Sequence, residues 1–422
     1  MLRAGMAQVD ITPPLGVEIA GWLYKKYAQT IADPLYAHIL VVEDNKLRMA
    51  MISLDLLSTP WKLVAAIRDR AAAAGCPPEN VMVCATHNHA GPAVANLGQT
   101  ARDDAYCMEL CRRVREGLAT AIANLQPAQF ATTSALEHRV SFIRRAIMKD
   151  GSALCHPPFG NKIRSLESVI DPEVGIVAIA DMQRRPLGFV LNFACHPTHH
   201  GHDGVVTAGW PGALYRGLRR TFGPKCVTLL LNGALGDVFH RDALNPDFVD
   251  VPDRIGGVLA DHVAQCFDAL EFNTSGTPAI DSKTLQLPLR DPDGPWGVSQ
   301  PFRQRFANDQ VYEQMLEALR RRYRRQPFAH AEIQSVHLNA ETALVGLPAE
   351  PFAAIGLRIK MQSRVAKTYV VGLANGMVGY IPTAEAFSHG GYEVTLGLHS
   401  KCQRESGEML VQAAVALVNQ GG

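Results

Sequence analysis

Two hydrophobic patterns alternate along this chain. The first consists of short, nearly unbroken apolar runs rich in β-branched residues: "HILVVE" (38–43), "LRMAMISLDLL" (47–57), "VMVCAT" (81–86), "PEVGIVAIA" (172–180), "LGFVLNFACH" (187–196), "CVTLLLNG" (226–233), "TALVGLP" (342–348) and "TYVVGLANG" (368–376). Runs of this length without polar alternation predict strands buried on both faces. The second pattern has helical spacing. "PWKLVAAIRDRAAAAG" (60–75) opens on Pro and closes on Gly, the punctuation expected of a helix. The same spacing predicts helices over 103–124, 211–222, 252–269, 309–326 and 351–362. Strands alternating with helices place the chain in the α/β class.

The stretch 270–308 breaks the rhythm. Rich in Pro, Gly, Asp and Ser, it predicts a long connection or insertion rather than a domain boundary, because chemically suggestive residues lie on both sides of it. With no internal repeat and no low-complexity tract, residues 1–422 read as one catalytic unit.

Composition then removes several classes of function. The 422 residues are 47% hydrophobic and 19% charged, with a formal charge of +1, so nothing in the electrostatics points to nucleic acid or an anionic membrane. The one dense basic run, Arg320–Arg325, falls in a helical pattern and reads as a solvated face. The N-terminal residues lack the build of a signal peptide, and no stretch approaches the ~20 apolar residues that cross a bilayer. Nine scattered cysteines form no CxxC pair, which fits a reducing cytoplasm. The expected partner is a small molecule, without membrane insertion; a homo-oligomer is left open.

Ligands of α/β sheets gather at the carboxyl ends of strands. Those positions here offer Thr86, His87 and His89, then His196, His199, His200 and His202, then Asn232, Asp237 and His240, and finally Glu350, Asn375 and Tyr380. Histidines with carboxylates at strand ends are the ingredients of a zinc site with one place open to solvent. Each His could equally cap its strand by bonding to backbone. Other chemistries lack their motifs: there is no GxSxG elbow, Walker loop, strand-following GxGxxG or HExxH. Cys84 and Cys195 read as small buried hydrophobes rather than metal ligands.

"AGMAQVDITPP" (4–14), "CATHNHAGPA" (84–93), "NFACHPT" (192–198), "NGALGDV" (232–238), "GLPAEPF" (346–352) and "NGMVGYIPTAEAFSHGGYE" (375–393) resemble, in this order, motifs of the neutral/alkaline ceramidase family. The resemblance implies mixed β-sheets surrounded by helices and a zinc amidohydrolase that cleaves an N-acyl bond. Carried over position by position, it implies zinc ligands at His87, His196, Glu350 and Tyr380. It implies an oxyanion-stabilising Tyr392 and a substrate-polarising Arg144, with Arg145 the alternative in a weak register. His89 becomes a proton carrier or a group that holds a ligand. His240 is expected to be the alternative proton carrier, and Asp237 either supports the catalytic site or forms the Gly-Asp turn beside it.

Two departures accompany the resemblance. Where the family carries a serine after its "GDV" turn, this chain has Phe239, with His240 next to it. The family's C-terminal β-sandwich also has no counterpart. The expected substrate is therefore a small amide or ester other than ceramide, cleaved by water activated at zinc. The rival expectations are a zinc lyase or isomerase acting on a carbohydrate-like molecule, and a non-catalytic, metal-stabilised binding protein.

Overall fold

Apolar runs become doubly buried strands when each face has a core to enter. In Tyr36–Glu43, Ile39 and Val41 join one hydrophobic cluster while Leu40 and Val42 join another. Val81–Ala85 divides in the same way, with Val81 and Val83 on one side and Met82 and Cys84 on the other. This is the two-residue alternation of a strand, hidden in the sequence because both faces are apolar.

The computed structural model describes residues 2–274, 276–294 and 309–421. An eight-stranded sheet runs in the order Val227–Asn232, Pro186–Phe193, Glu173–Asp181, Gln126–Leu136, Arg3–Asp10, Tyr36–Glu43, Arg48–Leu54, Val81–Ala85. Its outermost pairs are parallel and its middle is antiparallel. A four-stranded sheet, Ala279–Pro288, Phe328–Asn339, Thr342–Gly346, Lys367–Val371, packs on it through Met51, Met82, Leu229 and Val177 on one side and Val336, Leu344, Tyr369 and Val371 on the other. Helices cover both outer faces. Trp61–Ala73 and Asp104–Ala123 pack on one half of the large sheet, and Gly209–Phe222 and Pro252–Phe267 on the other half. Ala353–Gln362 and Ser406–Val418 cover the small sheet. The result is four layers, helix–sheet–sheet–helix, of mixed strand direction.

Parallel neighbours need a crossover, and a helix usually supplies it. Three such units occur: Arg48–Leu54 to Val81–Ala85 through Trp61–Ala73, Pro186–Phe193 to Val227–Asn232 through Gly209–Phe222, and Thr342–Gly346 to Lys367–Val371 through Ala353–Gln362. The turns leaving these strands carry the polar residues singled out in the sequence.

The segment 270–308 differs from expectation. Ala279–Pro288 is a strand at the edge of the small sheet, and most of its side chains are at least partly exposed, so it leaves no apolar run in the sequence. Residues 295–308 lie outside the described residues. The helix Ser406–Val418 also went unpredicted, its apolar face merging with the surrounding hydrophobic sequence. Among the described residues no helix is long and apolar enough to cross a membrane. All nine cysteines are free thiols.

Candidate metal centre

The turn that carries His87 and the turn that faces it adopt left-handed conformations that no helix or strand permits. His87, two residues beyond Val81–Ala85, has φ 70°, and the facing turn places Leu373 at φ 55° and Asn375 at φ 58°. Non-glycine residues in this region cost about 1–3 kcal/mol each and persist where surrounding bonds over-determine them. Here Asn375 accepts from the Val83 N–H at 2.9 Å and donates its own N–H to Val83 at 2.7 Å. Asn232, at the end of its strand, staples the two histidine-bearing turns: its amide donates to the Thr86 and Cys195 carbonyls, both at 2.9 Å. Gly21 lies under the His89 ring, where a Cβ would come within 2.4 Å of Nδ1.

The rings then converge. His87 Nε2 lies 3.1 Å from both His196 Nε2 and His89 Nε2. Glu350 Oε2 is 3.1 Å from His87 Nε2 and 3.5 Å from His196 Nε2. His87 and His196 each donate Nδ1–H to a backbone carbonyl, of Leu57 and Leu235, at 2.8 Å. A neutral imidazole that donates from Nδ1 keeps a lone pair on Nε2. Lone pairs therefore face each other across a buried space, and Glu350 Oε2 has no hydrogen-bond donor. A cation at the meeting point turns this repulsion into coordination. The carbonyl partners of the Nδ1 atoms fix the tautomer as they do around bound metals. His87, His89 and His196 could hold a metal ion, with Glu350 adding an oxygen.

Protonation agrees with this. Burial pushes His196 and His89 well below the ordinary imidazole range. Burial alone would raise the Glu350 carboxyl, but His87 and His196 beside it hold it well below the usual range. A neutral His89 imidazole and an ionised Glu350 are forms a metal site can use.

Glu350 pairs directly with Tyr380 in a short parallel bridge, Glu350–Pro351 with Tyr380–Ile381, so the two stand side by side. Arg144 donates from Nε to Glu393 at 2.7 Å and from a terminal nitrogen to the Gly236 carbonyl at 2.8 Å. Its other terminal nitrogen is 3.1 Å from His196 Nε2. The guanidinium also lies over the Tyr380 ring, 5.4 Å from its centroid. Arg145, next in sequence, is directed elsewhere, to Glu167, Glu393 and the Gly390 carbonyl. Of the two arginines, Arg144 reaches the centre. Tyr392 stacks on His399 at 4.8 Å and meets Tyr380 edge-on at 5.7 Å, and burial raises its phenol well above the ordinary value.

No protein-family model and no curated protein matches the chain. Solved structures do. A crystal structure of neutral ceramidase from Pseudomonas aeruginosa matches with a TM-score of 0.75 at 18% identity, over 99% of this chain and 74% of that one. A ceramidase complexed with C2 matches with a TM-score of 0.74 at 17% identity, over 99% and 75%. The chain has the neutral ceramidase fold. The mixed α/β architecture expected from the sequence stands with it.

Within this ceramidase fold, Asp237 and His240 sit outside the converging donors. Asp237 Oδ1 accepts the Ala353 N–H at 2.7 Å, capping the helix that follows Glu350, and its carbonyl accepts the Arg144 N–H at 2.9 Å. Burial raises its carboxyl to about 7. His240 belongs to a second group with His199 and Asp250 that could also hold a metal ion. Asp250 Oδ1 accepts from His240 Nδ1 at 2.7 Å and from His199 Nε2 at 3.0 Å, while Thr198 bonds His240 Nε2 at 2.9 Å. Phe239 separates the two groups, its ring 4.0 Å from His240 and 6.5 Å from His196. Of the remaining strand-end histidines, His200 pairs with Asp203 at 2.9 Å and His202 lies against Trp22.

A cavity of about 320 Å³ opens beside His87, His89, Glu350, Tyr380 and Tyr392. It is also lined by Arg322, from the basic run expected to face solvent, and by Lys401. Those two, and the buried carboxylate Glu393 that joins Arg144 to Arg145, went unnoticed in the sequence.

Proposed function

We propose that this protein is a zinc-dependent hydrolase that cleaves an amide or ester bond of a small substrate other than ceramide, with residues 1–422 acting as one catalytic unit. The reading rests above all on one observation: His87 and His196, whose Nδ1 protons go to backbone carbonyls, bring their Nε2 atoms within 3.1 Å of each other and 3.1–3.5 Å of a Glu350 oxygen that no donor reaches. Nitrogen and oxygen donors of this kind suit zinc. His87, His196 and Glu350 would hold it, with Tyr380, beside Glu350, as the fourth donor. When bound, the ion supplies a Lewis acid and makes water acidic enough to ionise near neutral pH.

The chain's own groups do the rest. Arg144, braced by Glu393 and the Gly236 carbonyl, directs its remaining terminal nitrogen toward His196 Nε2 at 3.1 Å, from where it would donate to the carbonyl oxygen of the substrate once the metal occupies His196. Tyr392 keeps its proton at any working pH, because burial raises its phenol, and donates to the same oxygen. Such donors are worth about 3–4 kcal/mol each in the transition state. As the water oxygen bonds to the carbonyl carbon and the C–N or C–O bond breaks, a water proton passes to the leaving atom. His89, held neutral by burial, accepts and returns it. His240, beyond Phe239, is the alternative proton carrier. Asp237 caps the helix after Glu350 and anchors the Arg144 backbone, which positions both.

The cavity of about 320 Å³ favours a small molecule, since it lies at the low end of the roughly 300–1,000 Å³ usual for ligand sites. Free thiols throughout favour a reducing compartment such as the cytoplasm. A panel of small amides and esters, incubated with zinc-loaded protein and followed by product mass, should show addition of water. Chelation should stop the reaction and zinc should restore it. Products of unchanged total mass would instead mark a lyase or isomerase.

A further inference from the structure

The cavity beside the metal centre carries an unbalanced pair of cations. Glu350 is the only carboxylate among its described lining residues, and that side chain faces the histidines. Lys401 is 7% exposed, and its ammonium donates to the backbone carbonyls of Val378 and Leu398, neither of which neutralises its charge. Arg322 makes no side-chain hydrogen bond or ion pair among the described residues, and its Nε is buried without a partner.

The neighbours of Arg322 show what a solvated helix face looks like. On the same helix, Arg320 pairs with Asp293 at 2.8 Å and Arg321 approaches Glu317 at 3.5 Å. Arg322 turns instead into the cavity. Two cations on the wall of one cavity, with no carboxylate bonded to either, are a favourable place for an anion. Burial lowers Lys401 to about 8, with Arg322 acting in the same direction and Cys402 and Glu350 against it. The walls of the same cavity also include the apolar Leu57, Trp61, Met377 and Leu398.

We infer that Lys401 and Arg322 bind an anionic group of the substrate, a carboxylate or a phosphate, so that the molecule cleaved is a short N-acyl or O-acyl compound with its scissile carbonyl at the metal centre and its negative charge at this pair. The inference rests on the hydrolase reading for the cleavage, while the anion site stands on the cation pair itself. A guanidinium fork and an ammonium that line one cavity can match the oxygens of either group. It also separates this site from a ceramide site, because ceramide carries no charge.

The test compares kcat/KM of zinc-loaded enzyme on N-acetyl amino acids, on their neutral carboxamides and on N-acetyl aminoalkyl phosphates. An anionic series should exceed the carboxamides by tenfold or more, and the better of the two anions identifies the group. In Arg322→Gln that ratio should fall close to one through a raised KM, with Arg322→Lys recovering part of it. A ratio near one in the wild type, or one unchanged by Arg322→Gln, overturns the inference and leaves the hydrolase reading intact. Calorimetric binding of N-acetylglycine against N-acetylglycinamide separates the two ideas. Binding of the acid that weakens tenfold in Arg322→Gln supports the anion site even where no compound on the panel is cleaved. Equal binding of acid and amide overturns it.

Discussion

The two histidine clusters lie on either side of Phe239 and solve opposite electrostatic problems. In the second, two ring N–H groups of His199 and His240 point at one oxygen of Asp250, so every close approach contains a proton. In the first, the Nδ1 protons of His87 and His196 are spent on backbone carbonyls, and Nε2 atoms 3.1 Å apart face each other and an orphaned Glu350 oxygen. Residue types and spacings are alike; only the direction of the protons differs. The second cluster spends its ring protons on Asp250, leaving only His199 Nδ1 without a partner, whereas in the first the facing lone pairs call for a cation. Where His N–H groups go is therefore better evidence for a metal than how many histidines gather.

Metal content is the harshest way to break this contrast. Zinc measured in purified protein should be near one per chain, and His87→Ala and His196→Ala should each lose most of it. His199→Ala and His240→Ala should retain it. Loss from the second pair with retention in the first would reverse the assignment. His89→Ala sharpens the first cluster further: zinc kept with turnover lost marks a proton carrier, and zinc lost marks a ligand.

Next in size is the rate effect of groups that face the first cluster without belonging to it. Tyr392→Phe should keep zinc and slow turnover by about 10²–10³-fold, the cost of one preorganised donor to a developing oxyanion. Unaltered kcat would remove Tyr392 from the chemistry.

Acidity probes the second cluster. Burial lowers His240 to about 4 from an ordinary 6.5, and its bond to Asp250 only partly offsets this. The unfolded chain therefore takes up the proton first as pH falls. The stability His240 contributes is intact above pH 6.5, declines between 6.5 and about 4, and is lost below that. The total is about 3 kcal/mol. Asp237, raised to about 7, works in the opposite direction, so the readout is the difference between wild type and His240→Gln in urea melts. A difference that stays flat from pH 7 to 4.5 would mean the ring is not held neutral.

The sequence made half of this legible. Strand-end histidines in an α/β chain point to one locus on general grounds, and the doubly apolar strands beneath them were readable as such. Glu350 and Tyr380 needed the resemblance, because a Glu after a Pro-containing turn looks like any helix-start acid. Their side-by-side register became visible only in the short bridge Glu350–Pro351 with Tyr380–Ile381. Arg144 and Arg145 are indistinguishable until the strand Arg145–Met148 fixes which way each side chain leaves the backbone. Arg322 was hidden by its company. Within a run of arginines a helical pattern identifies an exposed face, but it cannot show that one member meets a cavity built by residues far away in the chain. Glu393 shows the same limit from the other side, since a carboxylate buried between two arginines has no local signature.

The gentlest test of the comparison is Asp250→Asn, which removes charge and keeps shape. An amide oxygen still accepts from His199 and His240, so the cluster should fold, hold its geometry and leave zinc at the first centre untouched. What disappears is the charge assistance in two bonds. A hydrogen bond to a charged acceptor is worth about 1.5–3 kcal/mol against roughly 1 for a neutral one. Asp250 is 26% exposed, so solvent screens part of the difference. The expected loss is about 1 kcal/mol in urea melts at pH 7. A variant that loses far more, together with a metal found in the wild type and absent from the variant, would mean the second cluster also coordinates an ion, and the distinction drawn from proton direction would fall.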